Sequence, residues 1–176
     1  MTLPIDKGTW TTDNAHTVVG FTARHLGFTK VHGRFTDHDI KVNVGDTLED
    51  SSVSASINLL SVETGNADRD GHLKSADFFG GSDNPTMEFV STSIKGSPED
   101  FTIVGDLTIN GKTLPVEFAA AFEGANEFME ATHAAFEASA EINRTDWDIT
   151  WNMPVGEKLA VSEKIKVRLD TELVKA

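Results

Sequence analysis

Apolar and polar residues alternate with a period of two along most of this chain, the pattern of a strand with one buried and one wet face. In Ser52-Val53-Ser54-Ala55-Ser56-Ile57-Asn58-Leu59 every second residue is apolar. Further on, Phe101, Ile103, Gly105, Leu107 and Ile109 share one face. Asn110-Gly111 then supplies the dipeptide of a tight type I′ turn, whose two central residues need positive φ. The return runs through Leu114, Val116, Phe118, Ala120 and Phe122 on one face, so this pair reads as a hairpin. Val19, Phe21 and Ala23 mark a first strand. Val31, Gly33 and Phe35 mark a second, which continues through Ile40, Val42 and Val44. Met87 and Phe89 mark another, and Ala134, Phe136, Ala138, Ala140 and Ile142 a seventh. The last runs from Val161 to Leu173 and carries Lys164, Lys166, Arg168 and Asp170 on its polar face. The total is about eight strands.

Turn chemistry separates them at Gly45-Asp46, Gly96-Ser97-Pro98 and Gly124-Ala125-Asn126. Only the connection from Ser61 to Asn84, between the third and fourth strands, is long. In it Asn66 is placed to cap one short helix through Lys74, which Gly71 weakens. With no linker or repeat, residues 1–176 read as one all-β domain. One-sided alternation is the mark of antiparallel sheet. Eight such strands close into an antiparallel β-barrel that either fills with side chains or holds one small ligand, although a β-sandwich satisfies the same periodicity. The inward positions mix Phe with Gly33, Ala55, Gly105, Ala120, Ala134 and Ala138. Small residues there either leave room for a ligand or simply fit the large ones opposite.

Composition narrows the function classes. The net charge of −13, from 28 acidic and 15 basic residues, makes nucleic acid and anionic lipid headgroups poor partners. Absence of cysteine removes disulfides, thiol catalysis and Cys-ligated zinc. No stretch approaches the ~20 apolar residues of a membrane-spanning helix. The first ten residues hold no apolar run fit for a secretory signal, so a cytoplasmic location is expected.

The six histidines, His16, His25, His32, His38, His72 and His133, show no compact metal-ligand spacing. No metal is therefore expected, although ligands could still assemble across strands. No Gly-x-Ser-x-Gly elbow is present to hold a nucleophile, so a non-enzymatic protein is expected, with an enzyme acting on an apolar substrate as the alternative. A third alternative is an interaction module with a filled core. Arg69, Asp70 and His72 of the long connection suit either a structural ion pair or the grip on a ligand's polar end. Arg144, leaving a strand, suits either a corner anchored to a carboxylate or a contact to ligand.

Five blocks in order resemble the YceI-like family: Asn14-Ala15-His16-Thr17-Val18-Val19-Gly20-Phe21, Lys30-Val31-His32-Gly33-Arg34-Phe35, Arg69 to Phe79, Gly105 to Thr113, and Ile142-Asn143-Arg144-Thr145-Asp146-Trp147. Asp148, where the family usually has Gly, and His32, where a basic residue is common, depart from its pattern. The resemblance implies an eight-stranded lipocalin-like barrel with a polyisoprenoid, isoprenoid quinone or similar lipid in its lumen, no cofactor, and homodimers as a common state. Phe21, Val31, Phe35, Ile57, Phe78 and Phe79 are then expected to contact ligand, with Phe89, Leu107, Phe118, Phe136 and Trp147. His25, His32, Arg69, His72 and Arg144 are the candidates for a polar mouth.

Overall fold

A computed structural model describes residues 1–176. The strands are β1 (Gly8–Thr12), β2 (Val18–His25), β3 (Thr29–Phe35), β4 (His38–Val44), β5 (Ser52–Asn58), β6 (Val62–Glu63) and β7 (Thr86–Ser97). They continue with β8 (Asp100–Ile109), β9 (Lys112–Phe128), β10 (Ala131–Asn143), β11 (Pro154–Val155), β12 (Lys158–Leu159) and β13 (Lys164–Lys175). The helix α1 spans Ala67–Leu73. It forms where Asn66 was placed to cap it, and the Asn66 side chain accepts from the Arg69 N–H.

The main sheet closes into a ring of eight antiparallel strands, β1-β4-β5-β7-β8-β9-β10-β13, because β13 pairs back onto β1 at Thr12↔Leu173. Closure removes the unpaired edges that a sandwich would keep. Two of the long strands are broken. β1 and β2 both lie along β13, with a 3-10 turn at Asn14–His16 between them. β3 pairs with β2 while β4 pairs with β1, so β3 and β4 together form the second long strand that the alternation predicts.

The β8–β9 hairpin turns at Asn110-Gly111, both at positive φ, as its sequence requires. The next hairpin differs from expectation. Gly124-Ala125-Asn126 is no turn: these residues lie within β9, paired to Ala135, Ala134 and His133, beside a register shift between Ala135 and Phe136. The turn falls at Met129-Glu130, both at positive φ. The glycine therefore serves a bulge, and the hairpin extends past the ring.

Inward side chains form one apolar body, and two glycines decide how its rings sit. A Cβ on Gly33 would come within 2.3 Å of the Phe21 ring, and one on Gly105 within 2.3 Å of the Phe89 ring. Each ring thus lies flat against a bare patch of barrel wall instead of crossing the interior. Trp147 is buried, and its indole N–H donates to the Leu107 carbonyl at 3.1 Å, tying the segment after β10 to β8.

His38 opens β4 on its inward face and pairs with Ile57. It is 8% exposed, and its Nδ1 has no hydrogen-bond partner. Burial holds its pKa below the usual 6.5, outweighing the opposite pull of Asp37 and Asp39. The unfolded chain then takes up more protons than the folded one as pH falls through 6.5. The contribution to stability is full above that value and is lost on going below it. Relative to His38→Phe, the urea midpoint of the parent is expected to fall between about pH 7.5 and about pH 5.5, His16 with its pKa raised by Asp13 acting in the opposite sense in both proteins. Equal falls in both proteins would refute this.

Candidate functional site

The barrel interior is a narrow apolar lumen in two lobes. The larger holds a cavity of about 120 Å³ and is lined by 25 residues, 22 of them hydrophobic. The smaller holds about 110 Å³, lined by 17 residues of which 15 are hydrophobic. Val19, Met87, Ile142 and Val167 border both, so the lobes are neighbours with these four side chains forming a waist between them. Each lobe falls short of the about 300–1,000 Å³ common for small-molecule sites, so a bound chain has to push lining side chains aside to be accommodated.

Both ends are closed by side chains. Leu3 and Leu48 border the far end of the larger lobe. Leu73, Phe78, Phe79 and Ile149 border the smaller one. The second cap is built from irregular segments and the short helix, whereas the walls are continuous hydrogen-bonded ladders. Leu3 and Leu48 at the other end also lie outside the strands, so either end opens at lower cost than the walls.

Nine of the apolar residues expected at ligand line this space. Ile57, Phe89, Leu107, Phe118 and Phe136 border the larger lobe. Phe21, Phe35, Phe78 and Phe79 border the smaller. Val31 and Trp147 border neither. Val31 pairs with Ala23 towards the tip of the β2–β3 hairpin, beyond Thr22, where β13 pairing ends. Trp147 is engaged in the Leu107 tie. Ala138, Val167 and Leu169 also line the lumen; alternation puts them inward, but inward parity alone does not separate lining from packing, so they are not among the expected ligand contacts.

The polar residues expected at the mouth scatter. His32 is exposed on the outer face, with Nδ1 3.0 Å from the Thr22 hydroxyl. His25 is exposed, and its Nδ1 lies 3.1 Å from the Ala160 carbonyl. Arg69 is exposed and donates to the Thr64 hydroxyl and carbonyl, closing its own loop with no carboxylate partner. His72 is half-buried, 2.8 Å from Asp77, with its ring edge-on to Phe78 and Trp151. It braces the cap from outside the lumen.

Arg144 alone reaches the lumen. It is 6% exposed, and its three nitrogens donate to the carbonyls of Ser162, Ile149 and Val161. The corner is anchored as the sequence suggested, but by backbone carbonyls and not by a carboxylate. Burial lowers the pKa of the guanidinium. Glu137, the other charged residue at the lumen, turns its carboxylate out to Arg168 at 3.1 Å. The lumen therefore has an apolar far end and one cation at its capped end.

A family model described as the YceI-like domain matches residues 10–173. The chain belongs to the YceI-like family. The protein YceI of Escherichia coli is 37% identical over 139 residues, 78% of this chain and 73% of its own length. The Campylobacter jejuni YceI protein shares this barrel at a TM-score of 0.74 and 27% identity, over 93% of this chain and 96% of its own. A Saccharophagus degradans polyisoprenoid-binding domain shares the fold at a TM-score of 0.63 and 13% identity, over 95% of this chain and 98% of its own. Barrel, ring closure and single short helix are thus those of YceI-like proteins.

Proposed function

We propose that this YceI-like protein binds one long, slim apolar chain, a polyisoprenoid or isoprenoid quinone, and carries or sequesters it without transforming it. The observation that carries this reading is the two-lobed apolar lumen with Arg144 as its one inward charge. A narrow space with a waist suits an unbranched or methyl-branched chain better than a fused ring system. Each buried CH₂ contributes about 0.8 kcal/mol, so a dozen carbons give about 10 kcal/mol, enough to offset several kcal/mol of association cost. The polyisoprenoid-binding description of the Saccharophagus degradans domain supports the same ligand class.

The orientation follows from the donors. A guanidinium has five N–H groups. Three carbonyls take one each at Arg144, which leaves two for an oxygen on the ligand's polar end. The tail then points through the waist to Leu3 and Leu48. One such contact gives weak selectivity among headgroups and strong selectivity for chain length.

The test is native mass spectrometry of the purified protein, followed by organic extraction and identification of what is released. A stoichiometric adduct that extracts as a prenyl chain, or saturable uptake of an added polyprenol or quinone, is expected. No adduct and no uptake would overturn the reading in favour of a module with a collapsed core. Chemical conversion of the added lipid would overturn its non-enzymatic part.

A further inference from the structure

The outer face of the barrel carries a cluster that lipid binding does not use. It lies where β1 breaks into β2, over the β13 strand that pairs with both. Asp13 and His16 come from the 3-10 turn in that break, Glu172 from β13 and His133 from β10. His16 Nδ1 lies 2.9 Å from Asp13 Oδ2 and 3.9 Å from Glu172 Oε1. The ligand atoms of Asp13, His16 and Glu172 all fall within 4.8 Å of one another. Glu172 Oε1 is also 2.7 Å from His133 Nδ1.

We propose that Asp13, His16 and Glu172 bind a divalent transition-metal ion of the zinc class, with His133 as the positioning residue. Zinc bonds to imidazole nitrogen and carboxylate oxygen at about 2.0–2.2 Å, which sets tetrahedral ligand edges near ~3.4 Å. The His16 spacings of 2.9 and 3.9 Å bracket that edge and no pair exceeds 4.8 Å, so shifts of about an ångström bring the donors onto one ion. One imidazole among carboxylates selects against magnesium and calcium, which prefer all-oxygen shells.

The turn holds these donors in place before any ion arrives. Asp13 Oδ1 accepts the Ala15 N–H at 2.9 Å, which leaves Oδ2 as the free ligand atom. The Asp13 N–H donates to the Glu172 carbonyl at 2.8 Å. The Thr17 hydroxyl accepts the Glu172 N–H and donates to the Glu172 carbonyl, fastening turn to strand from the other side. His133 stands edge-on to Phe128 with centroids 5.9 Å apart, so its ring is aimed at Glu172. A hydrogen bond from a neighbouring imidazole to a ligating carboxylate is the usual outer-shell device for orienting it. Bound there, the ion would clamp the joint at which one barrel strand changes partners.

Isothermal titration with zinc chloride in a non-chelating buffer near neutral pH tests this. One ion per chain is expected, undiminished by millimolar magnesium, together with a zinc-dependent rise in Tm. His16→Ala and Glu172→Gln are each expected to lose at least tenfold in affinity and the rise in Tm, with unchanged circular dichroism. His16 is 63% exposed, so its removal does not threaten folding. His133→Phe should weaken binding about 10–100-fold. His133→Asn, which keeps an N–H near the Nδ1 position, should recover most of that loss. Zinc should also shift the imidazole nitrogen resonances of His16 first. Absence of saturable one-to-one binding, or full affinity retained in both His16→Ala and Glu172→Gln, would overturn the site. Full affinity in His133→Phe would overturn its positioning role.

Discussion

Replacing Ala138 by Phe is expected to lower the affinity for a polyprenyl chain about a thousandfold while leaving the barrel folded. Ala138 faces the larger lobe from β10, opposite Ala120 of β9 and Leu169 of β13. Two alanines side by side hold that stretch of lumen open. A benzyl group there occupies the path of about five or six chain carbons. At about 0.8 kcal/mol for each, the lost burial is some 4–5 kcal/mol, or roughly three orders of magnitude in Kd. The new ring enters the vacant part of the lumen that Ala138 borders and not a filled core, so folding stability should hold to within about 1 kcal/mol. Ala119→Phe, one residue from Ala120 on the outer face, is the control and should leave uptake unchanged. Fluorescence titration with a labelled polyprenol reads both. Equal affinity in Ala138→Phe and the parent would mean that the chain binds outside the lumen.

Much of this architecture was legible because a strand with one wet face must alternate. Phe101 to Ile109 and Lys112 to Ala120 pair in the register that Asn110-Gly111 imposes, and α1 starts at its Asn66 cap. The Met129-Glu130 turn was not legible, since neither residue favours positive φ and Gly124 nearby does. Its conformation is imposed by strand pairing on both sides. The lumen itself was legible only to the level of facing. Whether Phe21 and Phe89 fill the interior or lie on the wall depends on the glycines beneath them, which sit on neighbouring strands. The Asp13, His16, His133 and Glu172 cluster draws on three segments far apart in the chain, beyond the reach of any spacing rule. The mouth residues failed for a related reason. A polar residue in a loop can satisfy itself locally, as Arg69 does on Thr64, and only Arg144 is held by groups that also border the lumen.

Arg144 should also carry the largest single contribution to stability outside the apolar core. Arg144→Leu keeps the size of the aliphatic stem but strands the carbonyls of Ser162 and Ile149, while Val161 keeps the Asn152 amide at 2.7 Å. The bonds to Ser162 and Ile149, at 2.9 and 2.8 Å, are well formed, whereas the third is long at 3.4 Å. A buried acceptor left without a partner costs about 1–3 kcal/mol, so the two stranded carbonyls predict a loss of about 2–6 kcal/mol. For a chain of this size that lowers Tm by roughly 10 °C. Relief from desolvating the cation offsets part of the loss, because burial already works against its charged form. Arg144→Lys should fall between, since one ammonium cannot span three carbonyls that the guanidinium fork reaches together. Calorimetry without ligand reads the structural part, and the gap in affinity between polyprenol and the chain-matched hydrocarbon reads the other. If Arg144 also meets the polar end of the chain, Arg144→Lys keeps part of that gap and Arg144→Leu abolishes it. A gap unchanged in Arg144→Leu would confine this arginine to the corner and place the polar end elsewhere.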